Sequence, residues 1–237
     1  MSKVEVFRAL HHSRLPGDPL VLPGPWDAAS ARVFADAGFP GLATPSAGVA
    51  ASLGYEDGET PADEMFAAVA RIVRAVDVPV SADVEDGYGL APAELVERLL
   101  ETGAVGCNLE DSAGGVLKEP SRHADWLAEV RDVAGGELFV NARVDTFVRG
   151  VADPGAAIER AGLYVGAGAD CVYPIGAPIG LLPLLRAGIL GPVNFLGRPE
   201  GDSVRELGGL GATRVTFGPG LLRCSVDALR GVVAGLG

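Results

Sequence analysis

The segment VPVSADVEDGYGLAPAELVERLLETGAVGCNL, residues 78–109, carries the repeating unit of the whole chain. Val78–Asp83 and Val105–Leu109 are short apolar runs of the kind that read as strands buried on both faces. Between them, Ala93–Thr102 has its apolar residues at helical spacing. Two such strands joined by a helix run parallel, with a right-handed crossover.

The same alternation extends in both directions. Further strands are expected at Pro19–Leu22, Gly41–Thr44, Leu138–Arg143, Asp170–Pro174, Pro192–Leu196 and Arg214–Phe217. Helical segments are expected at Ala28–Ala37, Pro61–Val76, Arg122–Ala134, Pro154–Gly166, Leu181–Ala187, Ser203–Leu207 and Leu221–Leu236. Asp27 is a good N-cap for the first of these, and Pro61 takes the favoured first position of the second. Eight strands, each followed by a helix, in 237 residues predict a single-domain (β/α)8 TIM barrel over residues 1–237. A doubly wound open sheet is the competing α/β arrangement, but no G-x-G-x-x-G follows the first strand.

Composition narrows the partners. The chain has 19 Lys+Arg against 31 Asp+Glu, a formal charge of −12, which disfavours nucleic acid and anionic membrane surfaces. With 48% hydrophobic and 21% charged residues it is globular rather than disordered. Cys107, Cys171 and Cys224 are scattered and odd in number, so a disulfide framework is not expected and a reduced compartment is. Residues 1–10 mix charges with short apolar pieces, and no apolar run reaches the length of a membrane span. The expectation is a cytoplasmic protein.

In a barrel the active site lies at the C-terminal ends of the strands. Asp83, Glu85 and Asp86 follow the third strand, Glu110 and Asp111 the fourth, Arg143 and Asp145 the fifth. Asn194 is placed at the end of the seventh strand and in the substrate pocket. Crowded carboxylates repel unless a cation sits between them, and an all-oxygen set without His or Cys suits Mg2+, with Mn2+ as a substitute. Asp83 and Glu85 point the same way if the strand stays extended. Of the adjacent pair Glu110 and Asp111, one faces the site and the other is a cap or surface residue. Arg143 offers a fork for a carboxylate or phosphonate. Gly114-Gly115 reads as a hinge, which would let Lys118, Arg122 and His123 swing over the site, although His123 also reads as solvated. His11 and His12 read as surface residues. Cys107 reads as a small core residue.

At these residues the chain resembles the isocitrate lyase / phosphoenolpyruvate mutase family. The segments that carry the likeness are Trp26–Arg32, Thr44–Ala50, Leu53–Gly58, Asp83–Gly89, Asn108–Asp111 and Asn141–Asp145, in order from about Leu20 to Phe217. The resemblance implies Asp83 as a direct Mg2+ ligand, with Glu85 and Glu110 holding its waters. It implies Asp57 near that shell, or positioning a water. Ser46, with the Ala47 and Gly48 amides, would bind the substrate carboxylate, and Arg143 would contact the transferred or leaving group. Tyr88 either contacts substrate or packs under the loop. The implied chemistry is a C–C lyase or decarboxylase acting on a small 2-oxo or 2-hydroxy (di)acid through a metal-bound pyruvate-type enolate. The alternatives are phosphonopyruvate hydrolase or phosphoenolpyruvate mutase-type P–C chemistry, and a non-catalytic binding barrel.

The segment Ser112–Pro120 departs from both branches of that family. It has no counterpart of the lyase cysteine, and Ser112 stands where the mutase branch has a lysine. A homodimer or homotetramer is also implied. Relatives commonly add a C-terminal helix exchanged between subunits; here only Gly218 to Gly237 follow the eighth strand, and the resemblance leaves open whether an oligomer has that exchange.

Overall fold

Each strand is too short to bury itself alone, and the chain solves this by closing the strands into a ring. The computed structural model describes residues 1–12, 17–201 and 203–236. In chain order the elements are α1 (Lys3–His12), β1 (Leu20–Val21), α2 (Ala28–Asp36), β2 (Leu42–Ala43), α3 (Ser46–Leu53), α4 (Ala62–Arg74) and β3 (Val80–Asp83). There follow α5 (Pro92–Thr102), β4 (Gly106–Leu109), β5 (Ser112–Ala113), β6 (Val116–Leu117), α6 (Pro120–Ala134), β7 (Phe139–Val144) and α7 (Pro154–Gly166). The chain continues through β8 (Cys171–Pro174), α8 (Leu182–Gly188), β9 (Asn194–Leu196), α9 (Val204–Leu210), β10 (Arg214–Thr216) and α10 (Gly220–Ala234).

Strands β2-β3-β4-β7-β8 pair in parallel, as do β1-β10-β9. A parallel bridge between Val172 and Val193 joins the two sheets on one side. On the other, Ala43 N–H donates to the Pro23 carbonyl at 3.2 Å. Eight parallel strands in chain order thus make a barrel, as the alternation predicts. Its outer face is covered by apolar helix stripes, including Met65, Val69 and Ile72 of α4, Leu95 and Leu99 of α5, and Leu127 and Val130 of α6. Each such side chain contributes roughly 1.5–3 kcal/mol on burial.

Three features escape the alternation. Helix α1 plugs the N-terminal end of the barrel, with Phe7 edge-on to Phe139 and His11 stacked on the same ring at 4.0 Å. His11 is therefore buried, not a surface residue. Helix α3 follows β2 directly. The segment expected to be a hinge is a β5–β6 hairpin, whose two-residue turn Gly114-Gly115 has φ of 54° and 82°, as this tight turn demands. Helix α10 buries only Gly220 and leaves Leu229 61% exposed beside Val226, Val232 and Val233, with Leu236 just beyond its end 79% exposed. Among the described residues, no helix is long and apolar enough to cross a membrane. All three cysteines are free thiols; Cys107 lies in the core as expected, its pKa pushed up to about 12 by burial.

Candidate active site

An open cavity of about 780 Å³ occupies the mouth of the barrel. Its walls come from the C-terminal ends of the strands: Thr44 after β2, Asp83 on β3, Asn108 and Glu110 at β4, Arg143 on β7, Tyr173 on β8 and Thr216 on β10. Strand polarity alone brings these side chains together.

Asp83 lies at the centre, 7% exposed. Its Oδ2 accepts from Ser46 Oγ at 3.2 Å and from Ser46 N–H at 3.4 Å, and its own N–H donates to Thr44 Oγ1 at 3.1 Å. Ser46 opens helix α3, so that helix's free N-terminal amides face the carboxylate end of the cavity. Ala47 lines the cavity with Ser46, whereas Gly48 sits behind them, packed on Pro45.

Glu85 reaches the cavity, but not by strand alternation. β3 ends at Asp83, and Glu85 and Tyr88 take left-handed φ values of 53° and 56°. Such values cost a non-glycine residue of order 1 kcal/mol or more, and they aim the side chains at the cavity instead of along a strand. Tyr88 Oη donates to Glu85 Oε1 at 3.3 Å. Burial, then the carboxylates of Asp83 and Asp57, push Glu85 up to about 7. Asp57 lines the cavity from an exposed turn.

Glu110 is paired with Arg143 Nη1. Burial pushes Glu110 up to about 8 against the pull of that guanidinium, with Asp83, Asp145 and Glu85 adding to the rise. Burial likewise raises Asp83. Arg143 Nε and Nη2 both reach Asp145 Oδ1 at 3.0 Å, so Asp145 orients the arginine. Burial alone would lower the Arg143 pKa, but Asp83, Glu110 and Asp145 outweigh it and keep the guanidinium charged. Asp111 is neither cap nor surface residue. It is fully buried, accepting from Asp145 N–H at 2.7 Å, Tyr164 Oη at 2.7 Å and Arg160 Nη1 at 2.9 Å.

Three expectations need correction. Asn194 begins β9 rather than ending it, is 0% exposed, and exchanges hydrogen bonds with Thr216 behind the cavity wall. His123 is neither solvated nor over the site: it is buried between Trp126 and Tyr164, and burial holds it near pKa 3. Lys118 anchors the hairpin instead of swinging, donating to the Asp86 and Glu110 carbonyls. Conversely, Arg149, Tyr173 and Thr216 line the cavity without having been singled out. Tyr173 was accessible to period-two reading of its strand; Arg149 lies on a turn beyond β7 that carries no such signal.

Among the described residues, no three acidic, His or Cys side chains converge tightly enough to coordinate one ion by themselves. The oxygen donors that do line the mouth, Asp83, Glu85 and Glu110, are of the kind that suits a hard cation such as Mg2+, which takes one or two carboxylates directly and keeps several waters.

Comparison with known proteins agrees with this geometry. The profile of the family described as phosphoenolpyruvate phosphomutase matches residues 7–236. A Mycobacterium tuberculosis H37Rv protein, Rv1998c, is 37% identical over 214 residues, covering 90% of this chain and 81% of that protein. The probable 2-methylisocitrate lyase 2 of Corynebacterium glutamicum is 33% identical over 172 residues, covering 64% of this chain and 53% of that enzyme. A Burkholderia cenocepacia J2315 protein of known crystal structure, provisionally designated a phosphonomutase, superposes with a TM-score of 0.90. It is 37% identical, with 98% of this chain and 99% of that one covered. An ordered set of motifs, a parallel barrel and a carboxylate-lined mouth therefore have one common origin: the chain belongs to the phosphoenolpyruvate phosphomutase family.

Proposed function

We propose that the protein is a divalent-cation-dependent lyase or decarboxylase that cleaves a C–C bond of a small 2-oxo or 2-hydroxy (di)acid. The observation that carries this reading is the crowding of Asp83, Glu85 and Glu110 at one mouth, beside the open N-terminus of α3. Carboxylates gathered in one cavity favour a cation over mutual repulsion. Asp83 would hold Mg2+ or Mn2+ directly, with Glu85 and Glu110 holding its waters. When bound, the ion supplies Lewis-acid stabilisation of negative charge developing on the acid.

The chain's own groups supply the rest. Ser46 Oγ and the Ala47 amide, backed by Gly48, bind the substrate carboxylate at the positive end of α3. Tyr88 stays protonated, since burial and the neighbouring acids raise its pKa, and its hydroxyl holds Glu85 in place. Arg143, fixed by Asp145 and Glu110, faces the group that leaves. Asp57, on the exposed rim, positions a water. A cytoplasmic location fits the free thiols of Cys107, Cys171 and Cys224. We propose that the protein is a homodimer or homotetramer, because the exposed apolar residues of α10 suit a second copy of the chain.

Turnover on oxaloacetate, phosphonopyruvate, methylisocitrate and alkyl-substituted malates tests the reaction class. Pyruvate or glyoxylate released from one C–C substrate, abolished by chelator and by Asp83→Ala, is expected. Turnover of phosphonopyruvate alone would move the chemistry to P–C cleavage. Tight binding of these acids without turnover would leave a binding barrel.

A further inference from the structure

Seven charged side chains line the cavity: Asp57, Asp83, Glu85, Asp86, Glu110, Arg143 and Arg149. The two cations differ in what they can still bind. Arg143 is committed at all three nitrogens, to Asp145 through Nε and Nη2 and to Glu110 through Nη1. Arg149 uses only Nε, which donates to Ser112 Oγ at 3.1 Å. Among the described residues it has no carboxylate partner, so both terminal nitrogens remain open as a fork. Its guanidinium lies beside the glycine turn of the β5–β6 hairpin, with Nη1 3.9 Å from where a Cβ on Gly115 would stand.

The position is built rather than incidental. Arg149 N–H donates to the Asp145 carbonyl at 2.9 Å, closing the turn Phe147–Arg149 immediately after the Arg143 strand. Val148 wedges that turn against Gly176, where a Cβ would come within 2.6 Å of Val148 Cγ1 and where φ is +74°. Ser112 Oγ accepts from Arg149 and donates to Asp145, so a continuous polar chain runs from Arg149 through Ser112 and Asp145 to Arg143 and Glu110 along one wall.

We propose that Arg149 is a specificity-determining residue that grips the distal carboxylate of a dicarboxylic substrate. The inference rests on the reading of the mouth as a site for a cation and a 2-oxo or 2-hydroxy acid, and it narrows the substrate class to diacids. An acid whose first carboxylate lies at α3 presents its second charge to a wall otherwise occupied by carboxylates and an Arg143 already paired with Glu110 and Asp145. An open guanidinium fork matches a planar carboxylate in a bidentate manner.

The test is calorimetric, with Mg2+ present. Oxalate is titrated first, and each enantiomer of malate and of lactate is then measured by displacement of oxalate. Malate and lactate differ only by the distal carboxylate. The wild-type protein is expected to prefer the better malate enantiomer to lactate by roughly ten- to a hundredfold, the range of a charged hydrogen-bonded contact. Arg149→Gln is expected to erase that preference while leaving oxalate and lactate unchanged, and Arg149→Lys to keep part of it. A purely structural role would weaken all three acids together, and that result would overturn the proposal. So would a wild-type protein that binds oxalate but ranks malate and lactate equally. If phosphonopyruvate, and not malate, loses affinity in Arg149→Gln, the distal group is a phosphonate and the carboxylate assignment falls. Failure of oxalate itself to bind with Mg2+ would instead overturn the cation-site reading beneath it.

Discussion

The two ends of the barrel treat a carboxylate in opposite ways. At the N-terminal end, Asp170 is held by Arg8 and Arg131 and also accepts from Val140 N–H at 2.8 Å. Two guanidiniums and a backbone amide thus complete its contacts, and the aromatic plug of Phe7, His11 and Phe139 seals the same end. At the C-terminal end, Glu85 has a tyrosine hydroxyl for a partner and Asp83, Asp57 and Asp86 for company. Asp170 is a completed contact that stabilises the fold, whereas Glu85 is an incomplete one, which the proposed cation would complete. An acid at a barrel end is informative about function when the protein leaves its charge uncompensated.

The contrast can be broken at its strongest point first. Asp83→Ala is expected to lower cation-dependent turnover by about a thousandfold or more while the thermal midpoint is unchanged or rises, the scale of losing a transition-state electrostatic contact. Kinetics alongside a melting curve would check both halves. Asp170→Ala is expected to do the reverse, costing about 3 kcal/mol of stability because two guanidiniums lose their partner. Urea denaturation reads that loss, while turnover of the still-folded variant is expected to persist.

A smaller effect comes from pH. Glu85 at about 7 and Glu110 at about 8 lie above the ordinary carboxylate value of 4.5. Between those limits the metal-free folded protein retains protons that the unfolded chain releases, so its stability falls as pH rises from about 4.5 to 8. A divalent cation competes with those protons. Mg2+ is therefore expected to raise the melting temperature more at pH 8 than at pH 5, as scanning fluorimetry with and without chelator would record. The smallest effect expected is from Glu85→Gln: a gain of about 0.5–1 kcal/mol in the metal-free protein, from relief of like-charge repulsion, together with weaker cation binding.

The barrel and the centre of the site were legible because both follow from local rules. Apolar runs set the strands, strand polarity sets the active end, and Asp83, Glu110 and Arg143 fall at that end without any knowledge of packing. What escaped depends on register or on contacts distant in sequence. Asn194 escapes the reading because it opens β9, two residues before the strand ends at Leu196, which keeps its side chain below the cavity wall. Glu85 lines the cavity for a reason that alternation does not supply, since its orientation comes from left-handed backbone. His11 and His123 look like surface histidines in isolation, but Phe139 and Tyr164 cover them from remote parts of the chain, with Trp126 of the same helix stacked on His123. Arg149 was missed because the turn that presents it is fixed by Gly176, on a different barrel strand's loop.

The most direct measurement is titration of chelator-treated protein with Mg2+ at pH 8, by calorimetry, for wild type and Asp83→Ala. The account predicts saturable binding to the wild type at one site per chain and none to the folded variant. Equal binding to both proteins, or none to either, would contradict the assignment of the carboxylate-lined mouth as a cation site.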